Sequence, residues 1–503
     1  MLRILLLIGS LTYMLNLGAQ DTLSSFTYFN KVYGNDTSNW SSRVGLETNR
    51  GIFTIGDWAG IDTNAINVRL LNQEGIIEEI LPFPVGENNQ ICFSGSRVHQ
   101  VNDSIVVFIN CYLKTEANTE DLDIHFAKVN SNGEILQNKV IANSAQRENP
   151  RALIPLNSGD YLIVGSYRSS SNLDTRFYLA KIDSEGNKLW ENTEIAGDPG
   201  GNAVAFSAIE LDNGNYLVGG YGYNGMFDNF DQFLVEIDQE GNAISATFLG
   251  QDSKDDCAAR LRKLPSGNIL LTSCYNDIAN STPLFFTELN QDLETVWEKE
   301  WELYESQTTF WTSVIVKENG SFLGVIGYEN EEGWDQCAIL QANQQGDIEY
   351  LIPISPNPNK HVYVHDMRPT KDGGYLITGY EHFPSPQRSW VLKVDSLFNT
   401  CSELGCDSTV YVIDSSTGIL DHWQPSWAME QSLLYPNPAN DKITLKTEFI
   451  PDFQELNIYD LNGNFCSQHY TSEFSVRHLT KGLYLAEIKF KDGRLLRQKL
   501  MVN

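Results

Sequence analysis

The segment HVYVHD, residues 361–366, sets His361 and His365 four apart with Asp366 beside the second. Side chains of a strand alternate between its faces, so residues four apart share one. Two imidazoles on one face could bind a metal. Two ligands fall short of a tetrahedral set, and histidines so placed more often line a channel or pack against neighbours. No metal is assigned, and no cofactor is expected. The acidic turns IDSEG and IDQEG, residues 182–186 and 237–241, superficially match calcium loops. They lack the full run of oxygen ligands such loops need, and a hairpin turn explains them. With 65 Asp and Glu residues, carboxylate pairs for acid–base work occur anywhere in the chain. No Ser-His-Asp set sits in a G-x-S-x-G context.

A second group of residues is ordered by position. Arg151, Phe206, Arg260, Trp311 and His365 each stand near the start of a short apolar run. If those runs are the inner strands of a ring, the five residues line one mouth of its channel. Arginine offers fixed donors there and aromatic rings offer flat apolar faces, the chemistry of ligand contact.

The ring is argued from a repeat. Segments such as SGDYLIVGSY, NGNYLVGGYG and DGGYLITGYE share a glycine turn followed by an apolar strand ending in Gly or Ser. The leading residue of that strand falls at Ile52, Ile105, Tyr161, Tyr216, Ile269, Phe322 and Tyr375, with gaps of 53, 56, 55, 53, 53 and 53. Each copy holds four strand-like runs bounded by Gly, Asn, Asp and Ser. Seven such units predict an all-β fold, a seven-bladed β-propeller of four-stranded blades over residues 20–406. A linear solenoid would need capping units that are not evident. The seventh copy lacks a good fourth strand, and SSFTYFNKVYG, residues 24–34, is expected to supply it and close the ring.

Eight cysteines accompany the repeat. Cys92 and Cys111 flank one hairpin, Cys257 and Cys274 the equivalent hairpin of the fifth unit, and Cys401 and Cys406 bound a short loop. Three local disulfides or free buried thiols both fit these spacings. Cys337 and Cys466 have no evident partner.

The formal charge of -30 argues against nucleic acid or an anionic membrane as partner. The opening MLRILLLIGSLTYMLNLGAQ reads as a signal peptide, residues 1–19, cut between Ala19 and Gln20. Ser10, Thr12 and Asn16 interrupt its apolar run, which is short for a transmembrane span, and no other segment approaches that length. Residues 407–432 show little periodicity and read as a linker. From Leu434 onward nine basic residues face eight acidic ones, so the tail parts company with the acidic body. Its alternating strands predict a small β-sandwich.

That tail opens with Tyr435-Pro436-Asn437-Pro438, continues through Ile458-Tyr459-Asp460 and Gly463, and ends with Gly482-Leu483-Tyr484 and Lys499. Over residues 433–503 it resembles the type A C-terminal sorting domain of the type IX secretion system of Bacteroidota. The resemblance implies recognition by that machinery in the periplasm, export across the outer membrane, and a secreted or cell-surface protein. Tyr435, Pro436, Asn437, Pro438, Gly482 and Lys499 are the positions that carry it. For the propeller two functions stay open: a non-catalytic module binding an extracellular glycan or protein, and a hydrolase or lyase acting on polysaccharide from the propeller face.

Overall fold

The computed structural model describes residues 29–502 with gaps, the longer ones at 84–89, 115–120, 275–283, 302–309, 399–409, 414–419, 424–433 and 446–452. The signal-peptide and cleavage positions, including Ala19 and Gln20, lie outside the described residues. Among those described there is no α-helix, and no helix long and apolar enough to cross a membrane. The chain separates into two compact units, dividing near Ser426.

The larger unit is a β-propeller. Its described strands form six sheets of four to nine strands, all mainly antiparallel, the nine-stranded one joining two repeat units through a parallel bridge between Leu122 and Arg147. The strands are grouped here by repeat unit and called sheets one to seven: 44–83, 98–142, 147–192, 203–249, 260–301, 310–353 and 361–394. Sheet three is typical, with strands Arg147–Pro155, Tyr161–Arg168, Thr175–Ile182 and Lys188–Asn192 in that order. Its second strand is apolar on both faces and buried along most of its length, because it packs against a neighbouring sheet on each side. Its fourth strand, at the rim, is half-buried or exposed.

The turns explain the acidic motifs. In the turn after the third strand, Asp183 Oδ1 accepts the backbone N–H of Glu185 at 2.9 Å and of Asn187 at 2.8 Å. Its Oδ2 accepts Asn187 Nδ2 at 2.7 Å, so the turn itself occupies the carboxylate. Gly186 takes the positive φ that the turn requires (φ 74). Asp238, Asn242 and Gly241 repeat this one unit later.

Each sheet shares an apolar cluster with the next. Val98, Phe108 and Phe53 join sheets one and two, Phe126 and Tyr161 join two and three, and Phe177 and Phe233 join three and four. Leu217 and Leu271 join four and five, Phe286 and Phe322 five and six, and Val325 and Trp390 six and seven. Ile52 and Leu71 of sheet one meet Leu376 and Val391 of sheet seven, so last packs on first. The fourth strand of sheet seven is Phe29–Gly34, paired antiparallel with Arg388–Val394 from Phe29↔Lys393 to Tyr33↔Ser389.

The stretch 407–432, read as a linker, contains regular structure. Val410–Ile413 pairs parallel with the N-terminal strand and antiparallel with Leu420–Trp423. The run Val-Tyr-Val-Ile is strong strand material, too short to show periodicity in sequence.

The smaller unit has two sheets. Leu434–Tyr435, Lys442–Leu445 and Glu473–Ser475 form one; Phe465–His469, Phe453–Tyr459, Gly482–Phe490 and Leu495–Val502 form the other. One apolar cluster, including Leu434, Ile443, Leu456, Ile458 and Ile488, lies between them. Tyr435 pairs with Thr444, Gly482 with Val502 and Lys499 with Leu485. Ala439 bridges to Val502, so the start of the domain meets its last strand. Pro436, Asn437 and Pro438 lie outside the described residues.

Candidate functional site

Three of the five channel candidates occupy one structural device. Arg151 is the extra residue between Pro150, opposite Gly165, and Ala152, opposite Val164. Phe206 holds the same place between Ala205 and Ser207, and His365 between Val364 and Asp366. Such a β-bulge breaks the alternation of the strand and re-aims one side chain. Its backbone pushes towards the second strand, where a Cβ on Gly165, Gly220 or Gly379 would collide with the carbonyl oxygen of Asn149, Val204 or Tyr363. That collision explains why the second strand of the repeat so often ends in glycine. In sheet six the extra residue is Thr312, and Trp311 beside it pairs with Ile326. Arg260 pairs with Thr272 at the start of its strand.

Arg151, Phe206 and Arg260 come together. The Arg151 guanidinium carbon stands 5.1 Å from the centre of the Phe206 ring, a cation–π contact. Among the described residues no carboxylate pairs with Arg151, and its buried Nε has no hydrogen-bond acceptor. Burial lowers its pKa from the usual arginine value. Arg260 is pushed down to about 10 by burial, then by the like charges of Arg262 and Arg151. Two further arginines stand near enough for their charges to act, Arg262 on Arg260 and Arg368 on Arg262. Arg262 spends its donors on backbone, Nε on the Val314 carbonyl at 3.0 Å and Nη1 on the Leu261 carbonyl at 2.9 Å. Arg368 donates to Asp366 at 2.6 Å and to the Val98 carbonyl at 2.9 Å. In a chain of net charge -30 this concentration of arginine is local and specific.

From Phe206 a strip of rings runs outward. Phe206 lies 5.7 Å from Tyr221, Tyr221 lies 5.6 Å from Phe230, and Phe230 lies 5.9 Å from Tyr223. All four are half-buried, each keeping some surface open to solvent. Sequence reasoning missed Tyr221, Tyr223 and Phe230. Their signal was the alternation in GYGYN, which puts two tyrosines on one strand face.

His365 belongs elsewhere. Its Nε2 accepts from Arg43 Nη1 at 2.7 Å, and its ring lies 5.2 Å from Tyr380. Burial and then the Arg43 charge hold its pKa well below the ordinary histidine value. Tyr380 stacks on Tyr363 at 4.9 Å. The Tyr363 hydroxyl donates to Asp335 Oδ2, and His361 Nδ1 lies 2.9 Å from that same oxygen. Burial, then the Asp335 bond, raise the Tyr363 pKa. The two histidines of HVYVHD thus hold different partners. Trp311 is placed only by its strand, Phe310–Val316.

One further group is electrostatically unusual. Burial, then the Asp231 carboxylate, push Asp256 up to about 8. Of the cysteines, Cys92 and Cys111 are direct cross-strand partners in the register, and Cys274 pairs with Leu284. Cys257, Cys401 and Cys406 lie outside the described residues. Cys337 is a buried thiol 3.1 Å from the Val362 carbonyl, and neither it nor the half-buried Cys466 is in a disulfide.

Fold and tail define the class: an exported β-propeller protein with a separate sorting unit. Residues 433–503 match the family described as the secretion system C-terminal sorting domain. This tail directs the protein through the type IX system to the cell surface or exterior. No curated protein matches the chain. Among solved structures the chain is similar to a polysaccharide lyase of family PL25, an ulvan lyase bound to a GlcA-Rha3S glycan, at 10% identity and TM-score 0.48, covering 72% of this chain and 96% of that one. It is similar to a protein of unknown function from Bacteroides caccae at 14% identity and TM-score 0.37, covering 63% and 94%. It is also similar to an endo-arabinase from Bacteroides thetaiotaomicron at 12% identity and TM-score 0.32, covering 50% and 94%.

Proposed function

We propose that the propeller is an extracellular binding module for an anionic glycan. The strip Phe206, Tyr221, Phe230 and Tyr223 offers flat faces for sugar rings, and Arg151 stands at its inner end. The observation that carries this reading is the Arg151 guanidinium, poised over Phe206 with no carboxylate partner among the described residues. Such an arginine, backed by Arg260 and Arg262, suits a uronate carboxylate or a sulfate, which it can hold through two parallel hydrogen bonds. The test is a glycan array with uronic-acid, sulfated and neutral polysaccharides. Acidic glycans should bind, and Arg151→Ala should weaken them by about 1–3 kcal/mol, or roughly ten- to a hundredfold. Equal retention of neutral glycans, unaffected by that change, would sink the proposal.

A second reading rests on one separate observation. Tyr363, His361 and Asp335 share a hydrogen-bonded oxygen beside the Tyr363–Tyr380 stack. A tyrosine and a histidine tied to one carboxylate are acid–base equipment, as a hydrolase or lyase needs. Product analysis of each bound glycan separates the readings. Turnover lost on Tyr363→Phe promotes the enzyme; intact glycan in every case supports the binding module.

A further inference from the structure

The bulge that carries Arg151 recurs at the joint that closes the ring. A Cβ on Gly56 would collide with the carbonyl oxygen of Ser41, as one on Gly165 would with that of Asn149. In that register Arg43 leads into sheet one as Arg151 leads into Ala152 of sheet three. Arg151 faces Phe206, the bulge residue of sheet four, and Arg43 bonds His365, the bulge residue of sheet seven. The match extends to the second strand, where Tyr221 follows Gly220 and Tyr380 follows Gly379. Each tyrosine lies against the bulge ring of its own sheet, 5.7 Å from Phe206 and 5.2 Å from His365. From Tyr380 a strip of rings runs on, as one does from Tyr221. Tyr363 stacks on Tyr380 at 4.9 Å, His361 lies 6.4 Å from Tyr363, and Trp334 lies 5.0 Å from His361. All of these are half-buried, and the His361 side chain is 28% exposed. Trp334 follows the turn between the second and third strands of sheet six, the end of the unit at which Tyr223 and Phe230 stand in sheet four. Sheet two separates the two joints on one side of the ring, and sheets five and six separate them on the other.

We propose that Arg43, His365, Tyr380, Tyr363, His361 and Trp334 form a second sugar platform, and that the ligand is a polymer held at both joints at once. The inference rests on the binding reading above, which the first platform carries. Aromatic faces suit the apolar C–H faces of sugar rings at either joint. The polar groups differ. Asp335 stands within the second strip, where its Oδ2 holds the Tyr363 hydroxyl and lies 2.9 Å from His361 Nδ1. A carboxylate there repels acid groups and accepts hydroxyls. The second platform therefore takes a sugar by its ring face and hydroxyls, and the reading of acidic groups stays with Arg151. Two weak contacts on one polymer reinforce each other, because the second forms at the effective concentration set by the first.

The test uses the full chain and two acidic series: galacturonate oligomers with polygalacturonate, and sulfated galactan oligomers with their polymer. Affinity is measured by calorimetry and counted per sugar residue, so that a longer chain gains nothing from its number of sites. The polymer should bind at least about tenfold more tightly than the short oligomer. Trp334→Ala and Tyr380→Ala should each remove most of that gain. Neither should change the short-oligomer affinity, which Arg151→Ala lowers. Trp334 adjoins a surface turn, so its variant decides the matter if Tyr380→Ala melts early. If short oligomers bind through Arg151 but the gain is absent, or survives both variants, the second platform is overturned and the binding reading stands. If neither series binds at any length, the binding reading has failed and the second platform falls with it.

Discussion

The joint between sheets three and four and the joint between sheets seven and one solve the same packing problem with different chemistry. At the first, Phe177 meets Phe233 at 5.4 Å, Phe233 stacks on Phe248 at 4.5 Å, and Val164, Leu179, Val218 and Val235 fill the rest. At the second, a smaller apolar cluster is joined by buried charge. Lys393 Nζ, its side chain 1% exposed, sits 2.8 Å from Glu47 Oε1 and 2.8 Å from Asp372 Oδ2. Arg69 donates to Ser389 at 2.6 Å, to Ser42 at 3.1 Å and to the Ser41 carbonyl at 3.1 Å, and lies 4.7 Å from the Trp40 ring centre. Apolar faces of a repeat fit many neighbours. A lysine that needs two particular carboxylates fits one. Buried ion pairs gain little net stability over well-packed apolar groups, so we read this joint as the device that selects which edges close.

The comparison breaks most sharply at Lys393. Lys393→Ala leaves the buried Glu47 carboxylate without its cation, beside the more open Asp372, and should cost about 3–5 kcal/mol in chemical denaturation. A loss under about 1 kcal/mol would show that the charges are solvated and do not hold the joint. At the apolar joint, Phe233→Leu should cost about 1–3 kcal/mol through altered shape and lost ring contacts, without changing the salt dependence of unfolding. The smallest effect concerns acid. His365 of sheet seven accepts from Arg43 of sheet one, and its folded pKa lies well below the ordinary 6.5. The unfolded chain therefore binds this proton more readily than the folded one. The contribution is complete above about pH 6.5 and declines as pH falls below it towards the depressed folded value. His365→Gln should flatten that part of a stability–pH profile; an unchanged profile would assign the acid sensitivity to other groups.

Much of this architecture was legible because the repeat holds its register. A spacing near 53 residues carries the four-strand plan, and the missing fourth strand of the last copy shows in the same count. The channel candidates were legible only to within a residue. Arg151, Phe206 and His365 sit on the bulge itself, just after a residue paired with the glycine that marks it. Sheets five and six have Ser273 and Ile326 at that glycine's place, and there the choices, Arg260 and Trp311, fell beside the equivalent position. The partners of these residues were not legible. Tyr363 finds Asp335, and Asp231 finds Asp256, across connections whose path depends on packing rather than on local pattern. The strands in 407–432 were missed because four residues are too few to display a period.

The seam at Phe29–Gly34 also sets an order of events. Trp390 Nε1 donates to Asn30 Oδ1 at 2.7 Å, between residues 360 apart in the chain. The earlier sheets draw their strands from contiguous sequence and can assemble as the polypeptide emerges. The last sheet needs the first strand synthesised and nearly the last, so vectorial synthesis leaves a long wait with one edge unpaired. Contacts of such separation are slow to form, and an unpaired edge invites association with other chains. Completion of the ring is therefore a late step, and the N-terminal segment must stay available for it until the seventh repeat has emerged.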